Sequence, residues 1–515
     1  MFSKRLGLVI VLVLLILQLF LRLHHITAQG AYVDEGVHSM RGATAWKLEA
    51  NPGRASDGKF LLYYYLGLFE AESTTALFAS RAAIALFSLI SGAAVYLFGQ
   101  RFHSHTAGLV ALGLYAVLPF TFFYERMALA DPFAAGFACL VAWRSLAFGR
   151  CPRWRDGLIL GVLLALSTMA KLTLGLLPLL PVMASIIYFP QLPGALADRV
   201  RWWLRGYFPP LALAAAVMIG LWLPILIPAL QAYGTPQQFA LLDSMVIAPS
   251  GPNSSGPLAY IASTLHDGME YVGAAFYAAV ALATTYLLLK RRYVLDTFFL
   301  IFWVASTTFL TFGFASIVAP RYALPAIGPL ILVVAIAFAD LWPQRQLWLR
   351  AGLIVASGAW LITFALPFLY IGMTNPTKLP LTGANYSYYL GGTFNADDTT
   401  IQAARLLDNR DPLIALDPSV KVVYGDWVVC RLVYYTMRRP VTCLLENIYK
   451  RQLADFVRAD LAPGESAYLI MVDTGPSPAG VEGVCPTPFV KYTHANTFSL
   501  VVWRLQREPC NAAAN

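Results

Sequence analysis

Charge is scarce in this chain. Of its 515 residues only 13% are Asp, Glu, Lys or Arg, while 58% are hydrophobic and the mean hydropathy is +0.61. A soluble domain carries charge on about a quarter of its residues. The composition therefore excludes an ordinary soluble globule and indicates an integral membrane protein. Glycine-rich phosphate cradles are missing too, with no G-x-G-x-x-G and no G-x-x-x-x-G-K-[ST] sequence. Cysteine is sparse: six residues, none in a C-x-x-C pair, which argues against a zinc site. There is no internal repeat and no low-complexity segment.

What fills the chain instead is long apolar runs. Crossing a bilayer takes about 20 residues. Runs of that kind lie at 6–23, 81–99, 107–124, 132–148, 207–230, 263–289, 294–316, 323–340 and 351–372. The stretch 157–189 is too long for one crossing, and Arg153 and Arg155 precede it while Arg199, Arg201 and Arg205 follow it. Basic flanks on both sides predict a tight hairpin returning to the same face, for a total of about 11 transmembrane helices.

With the amino terminus in the cytoplasm, every inner turn is basic: Lys4 and Arg5, Arg101, Arg150 with Arg153 and Arg155, Arg199 to Arg205, Lys290 to Arg292, and Arg345 with Arg350. Topology thus explains much of the net charge of +9, and no nucleic-acid partner is called for. The first run has the basic start of a signal peptide, but no A-x-A site follows it, and cleavage would invert the parity of the inner turns. We expect it to be retained.

The outer segments are 24–80, 231–262 and everything from 373 on. In the first, WKLEA and LLYYYLGLFEAES read as short helices resting in the membrane interface. The second, around IAPSGPNSSGP, is a loop able to cover an entrance or simply to connect. The tail 373–515 alternates strand-like runs (PLIALD, KVVYGDW, PVTCLL, SAYLIMVD, SLVVWRL) with helical ones (DDTTIQAARLLDN, ENIYKRQLADFVRADL), the pattern of a small α/β domain. Cys430, Cys443, Cys485 and Cys510 fall there, and in an exported domain they allow disulfides in three connectivities.

The acids of a membrane chain are where chemistry is sought, since an unpaired carboxylate near lipid is costly. Asp34-Glu35 stands just past the first run in AYVDEGVHSMRG. Asp57 and Lys59 (ASDGKFLLYYYLG), Glu125, Arg126 and Asp131 (YERMALADPF), Lys171 (STMAKLTLG) and Arg321 (APRYALP) lie at helix ends on the same expected side. Each has an ordinary reading: Asp131 before Pro132 suits a helix N-cap, and the cations suit interfacial anchors. Together they suit transfer of a group carried on a lipid phosphate, which needs a base for the acceptor and cations for the departing phosphate. His24, His25 and His38 lie around Asp34 without a ligand spacing, so a divalent metal is possible but unsupported.

The order of AYVDEG, DGKFLLYYYLG, SRAAIALFSLISGAAVYLFGQRF, YERMALADPF, MAKLTLGLLPLLP and PRYALPAIGPL resembles the GT-C glycosyltransferases of the PMT/ArnT-like group, which use polyprenyl-phosphate sugars. The resemblance covers roughly 1–370. It implies a GT-C-like polytopic α-helical membrane domain over 1–372, with 24–80 as its first extracytoplasmic loop, and an extracytoplasmic α/β domain over 373–515. It assigns Asp34 to the catalytic base with Glu35 beside it, and Asp131 to the second acidic position. Lys59, Arg126, Lys171 and Arg321 are placed toward the lipid phosphate. Val37 stands where an Arg is frequent in the family, so Arg41 or His38 takes that place, and DGKF replaces the more usual E-K-P-P.

The function so implied is inverting transfer of a sugar from a polyprenyl-phosphate donor to a hydroxyl of a lipid, glycan or protein acceptor on the extracytoplasmic face, among membrane lipids and with no certain cofactor. Two alternatives stand beside it. One is a transporter or lipid flippase, which would place its ionisable groups near the bilayer midplane. The other is a glycan polymerase or ligase with a pyrophosphate-linked donor.

Overall fold

Apolar runs bracketed by arginine become helices close to where the pattern puts them. The computed structural model describes residues 4–46, 58–69, 75–231, 257–314, 319–343, 346–390, 398–408, 422–425, 427–433, 441–444, 449–473, 478–494 and 498–507. These residues form two units, each taken by itself. The first is Met1–Ile26, Thr44–Leu68 and Arg81–Thr374; the second is Thr27–Ala43, Phe69–Ser80 and Asn375–Asn515. The segment 24–80, read as one loop, is divided between them. Asp57, most of WKLEA, most of the second outer segment, Arg345, PLIALD and Cys510 lie outside the described residues.

The first half of the chain carries α1 (Lys4–Leu23), α2 (Val33–Ala45), α3 (Phe60–Leu66), α4 (Ala76–Phe102), α5 (His105–Val117), α6 (Pro119–Tyr124), α7 (Ala130–Arg150), α8 (Trp154–Ala170), α9 (Leu179–Ile187), α10 (Leu196–Gly206) and α11 (Phe208–Gln231). Then follow α12 (Pro257–Val272), α13 (Ala274–Leu289), α14 (Val294–Phe314), α15 (Leu324–Leu341), α16 (Leu347–Trp360) and α17 (Leu366–Thr374). Seven described helices are long and apolar enough to span a bilayer, or eight if Ala262–Val272 and Ala274–Leu289, bent by 110°, make one span.

The total of eleven is therefore not confirmed, and the breaks have local causes. The run 107–124 is interrupted at Leu118, whose extended backbone (φ −63°, ψ 122°) precedes Pro119 and starts α6 as a new helix. The hairpin 157–189 is built from the 17-residue α8, a 3-10 turn at Leu172–Leu174 and α9. At its tip Lys171 leaves helical geometry (φ −161°, ψ 122°).

The second unit contains a five-stranded sheet of order β2-β1-β3-β5-β4, with β1 (Val423–Gly425), β2 (Val441–Cys443), β3 (Ser466–Val472), β4 (Val484–His494) and β5 (Phe498–Arg507). β1 runs parallel to β2 and β3, whereas β5 runs antiparallel to both β3 and β4. Every residue of β3 is buried, because both faces of the sheet are covered. Tyr468, Ile470 and Val472 meet α18 (Asp398–Leu407) and α19 (Trp427–Val433), while Leu469 and Met471 meet α20 (Tyr449–Asp460). A disulfide joins Cys430 in α19 to Cys443 at the end of β2, with Cα atoms 5.5 Å apart. Cys485 is also disulfide-bonded, and Cys139 and Cys151 are free.

Candidate active site

A buried charge cluster in the first unit is built around Asp131. α7 begins after Leu129, which is extended and offers no side-chain cap, so Asp131 is the second helical residue rather than the N-cap its neighbour Pro132 suggested. In that first turn the backbone N–H groups lack intrahelical partners, so Pro132 costs no hydrogen bond and the carboxylate meets the positive end of the helix. Lys171 Nζ donates to Asp131 Oδ1, and Arg321 Nε lies 3.6 Å from Asp131 Oδ2. The three side chains are only 5–9% exposed.

Each cation is delivered by a turn. Lys171 closes α8, where the negative end of the helix favours an ammonium. Arg321 belongs to the 3-10 turn Pro320–Ala323 that leads into α15. The Tyr322 ring serves both, its centroid 4.1 Å from Lys171 Nζ and 5.3 Å from Arg321 Cζ. Sequence reasoning passed over Tyr322, although its place beside Arg321 in APRYALP was the available signal.

Lys59 is brought to the same turn through its backbone. Gly58, with φ +79°, accepts a hydrogen bond at its carbonyl from Leu172 N–H (3.0 Å). Phe60, Leu61 and Leu172 then pack on a core of α8 and α11 that includes Met169, Trp222 and Ile225. A Cβ at position 58 would stand 2.8 Å from Leu172 Cδ1, so a glycine is needed there for space as well as for its dihedral.

Arg126 does something else. Its guanidinium donates to the carbonyls of Leu21 (2.8 Å), His24 (2.8 Å) and His25 (3.0 Å), and reaches Arg22 O at 3.3 Å, closing the end of α1. Burial, then nearby Arg81 and Arg22, pull it below its ordinary value, to about 9, so it stays charged at neutral pH. Beside it Glu125, fully buried, accepts from Arg22 Nε (2.9 Å) and from the Tyr115 hydroxyl. Arg22 is itself fully buried, donating also to Tyr115 O and Thr121 Oγ1 at 3.1 Å. Its place at the end of the first apolar run suggests an interfacial anchor, but it is a core residue. With Arg126 and Glu125 engaged this way, the geometry joins α1 to the α5–α6 break.

Asp34, Glu35 and Arg41 belong to the second unit, on α2. Asp34 and Glu35 occupy its first turn, where acids are favoured. Glu35 is fully buried and accepts from Tyr32 N–H (2.8 Å), half of a capping box. That gives Glu35 a local structural duty, while Asp34 and Arg41 are half-buried. The start of the helix is held to the short helix Gly383–Tyr389 by Gln29 Nε2 donating to Tyr389 O (3.0 Å) and by the Tyr32 and Tyr389 rings, 5.1 Å apart. Among the described residues no group of three His, Cys, Asp or Glu is placed to hold a metal ion.

Residues 59–225, which contain Lys59, Arg126, Asp131 and Lys171, match the family model described as dolichyl-phosphate-mannose-protein mannosyltransferase. No curated protein matches the sequence. Among solved structures the chain is similar to ArnT from Cupriavidus metallidurans bound to undecaprenyl phosphate, at a TM-score of 0.61 and 13% identity over 98% of each chain. It is also similar to the oligosaccharyltransferase AglB from Archaeoglobus fulgidus in complex with an inhibitory peptide and a dolichol-phosphate, at a TM-score of 0.52 and 16% identity over 91% of this chain and 69% of that one. The chain has the GT-C fold, as the motif order led us to expect, and the family model that it matches over residues 59–225 is one of glycosyltransferases.

Proposed function

We propose that the protein moves a sugar from a polyprenyl-phosphate donor to an acceptor hydroxyl at the extracytoplasmic face of the membrane. The observation that carries this reading is the Asp131–Lys171–Arg321 cluster: one carboxylate held between two buried cations. Two positive charges and one negative leave a formal surplus of one positive charge, which matches the single negative charge of an arriving phosphodiester and favours the second charge that develops as the phosphate monoester leaves. In the ground state Asp131 keeps the two cations in place. When the donor enters, Lys171 and Arg321 hold the phosphate oxygens, and Lys59, on the strand of backbone bonded to the same turn, adds a third cation.

In the transfer step the acceptor oxygen attacks the anomeric carbon from the face opposite the phosphate. The bond from that carbon to the phosphate oxygen breaks, the polyprenyl phosphate leaves with the electron pair, and the sugar is inverted. Asp34 takes the proton of the acceptor hydroxyl, a role that rests on the motif resemblance, and Glu35 supports it by holding the start of α2. Arg126 is proposed as a structural clamp on α1 and not as a phosphate ligand. The relative complexed with undecaprenyl phosphate and the one complexed with a dolichol-phosphate support a lipid-phosphate donor of the same class.

The test is direct. Purified protein is offered a panel of polyprenyl-phosphate sugars, and release of free polyprenyl phosphate is measured. Wild type releases it with at least one donor; release with none would overturn the reading.

A further inference from the structure

Helix α10, LADRVRWWLRG, has no part in the transfer step, and none of its residues is buried. It is nevertheless held in one orientation. Trp203 packs with Leu192 and Tyr207 and donates from Nε1 to Ser185 Oγ (3.1 Å), while Arg199 Nε donates to Gly194 O (2.9 Å). That leaves two neighbouring stripes outward. Leu196, Val200 and Leu204, spaced by four, are 69%, 43% and 52% exposed, and Arg201 and Arg205 run parallel to them.

Where the helix sits follows from what it joins. Only Tyr207 separates it from the spanning helix α11, and the Tyr207 hydroxyl donates to Gly149 O (2.6 Å) at the end of α7. The start of α11 lies against the start of α8 so closely that a Cβ on Gly157 would come within 2.3 Å of Pro210 O. The same helix ends thus carry Arg150, Arg153, an exposed Trp154 and Arg155. A leucine stripe is unfavourable in water, and two arginines are costly in hydrocarbon. Only the boundary between them satisfies both stripes, and there arginine meets phosphate.

We propose that α10 is an interfacial helix that gathers anionic phospholipid: Arg201 and Arg205 bind the headgroup phosphates while Leu196, Val200 and Leu204 enter the upper acyl region. The charge complementarity and the direct continuation into a spanning helix single out lipid as the occupant.

The test uses the full chain in phosphatidylcholine vesicles doped with spin-labelled phosphatidylglycerol or spin-labelled phosphatidylcholine. The motionally restricted fraction of each label reports its association with the protein. Wild type restricts phosphatidylglycerol in excess. Arg201→Gln/Arg205→Gln loses roughly half of that excess or more, while Arg201→Lys/Arg205→Lys keeps it. No preference in wild type, or an excess that the Gln variant retains, overturns the proposal. So does a wild-type dimer that the Gln variant dissolves, since the face would then belong to a second copy. If the Gln variant does not fold, the wild-type excess must still collapse in about 1 M salt, where screening reaches contact distance; an excess that survives overturns the proposal as well.

Discussion

Asp131 holds two cations where one would neutralise it, and this asymmetry governs the predictions at the scale of single residues. Removing the acid leaves two buried cations uncompensated and costs about 3–5 kcal/mol, whereas removing Lys171 leaves Asp131 paired with Arg321. Asp131→Asn should therefore lower the melting temperature measured by scanning fluorimetry in detergent by more than Lys171→Met does, and the double variant should fall by less than the sum. Charged hydrogen bonds are worth about 1.5–3 kcal/mol, so Lys171→Met should also raise the donor KM by roughly tenfold or more. Arg126→Gln should behave differently, because its guanidinium is spent on the carbonyls of α1. Stability should drop while the donor KM of the surviving protein stays unchanged. A raised KM at full stability would return Arg126 to the lipid phosphate.

At the scale of elements, turns deliver the cations Lys171 and Arg321, while α7 presents Asp131 from its first turn. Gly58 shows how narrow the tolerance is. Gly58→Ala must adopt a positive φ and displace Leu172, at a cost of about 1 kcal/mol or more, and should shift Lys59 enough to raise the donor KM without unfolding the protein.

Spanning helices were legible in the sequence because apolar length and flanking arginine act over a whole window. α1, α4, α7, α11 and α15 fall within a few residues of their expected places. The division of 107–124 was not, since it turns on one extended residue before a proline. β4 was missed for a related reason. Pro486 and Pro488 argue against a strand, yet β4 is the edge of the sheet and its register shifts between Pro488 and Val490, where prolines are tolerated. Of the candidate site, the residue types of Asp131, Lys171 and Arg321 could be read in advance. Their mutual pairing could not, because it depends on α7, α8 and the turn before α15 meeting in three dimensions.

For the whole molecule, the basic helix ends predict sidedness. An alkaline phosphatase fused after Arg507 should be active outside the cytoplasm, and one fused after Arg150 should be inactive; the reverse pattern would turn the protein over. The central claim concerns Asp34, the acid we propose takes the acceptor's proton, and one measurement addresses it most directly. With a polyprenyl-phosphate sugar that wild type accepts, donor binding and release of free polyprenyl phosphate are measured side by side for wild type and Asp34→Asn. A general base contributes about 10²–10⁴-fold, so the variant should bind the donor as wild type does and release polyprenyl phosphate slower by a factor in that range. Turnover that survives the substitution, or a loss of binding equal to the loss of turnover, would contradict the assignment.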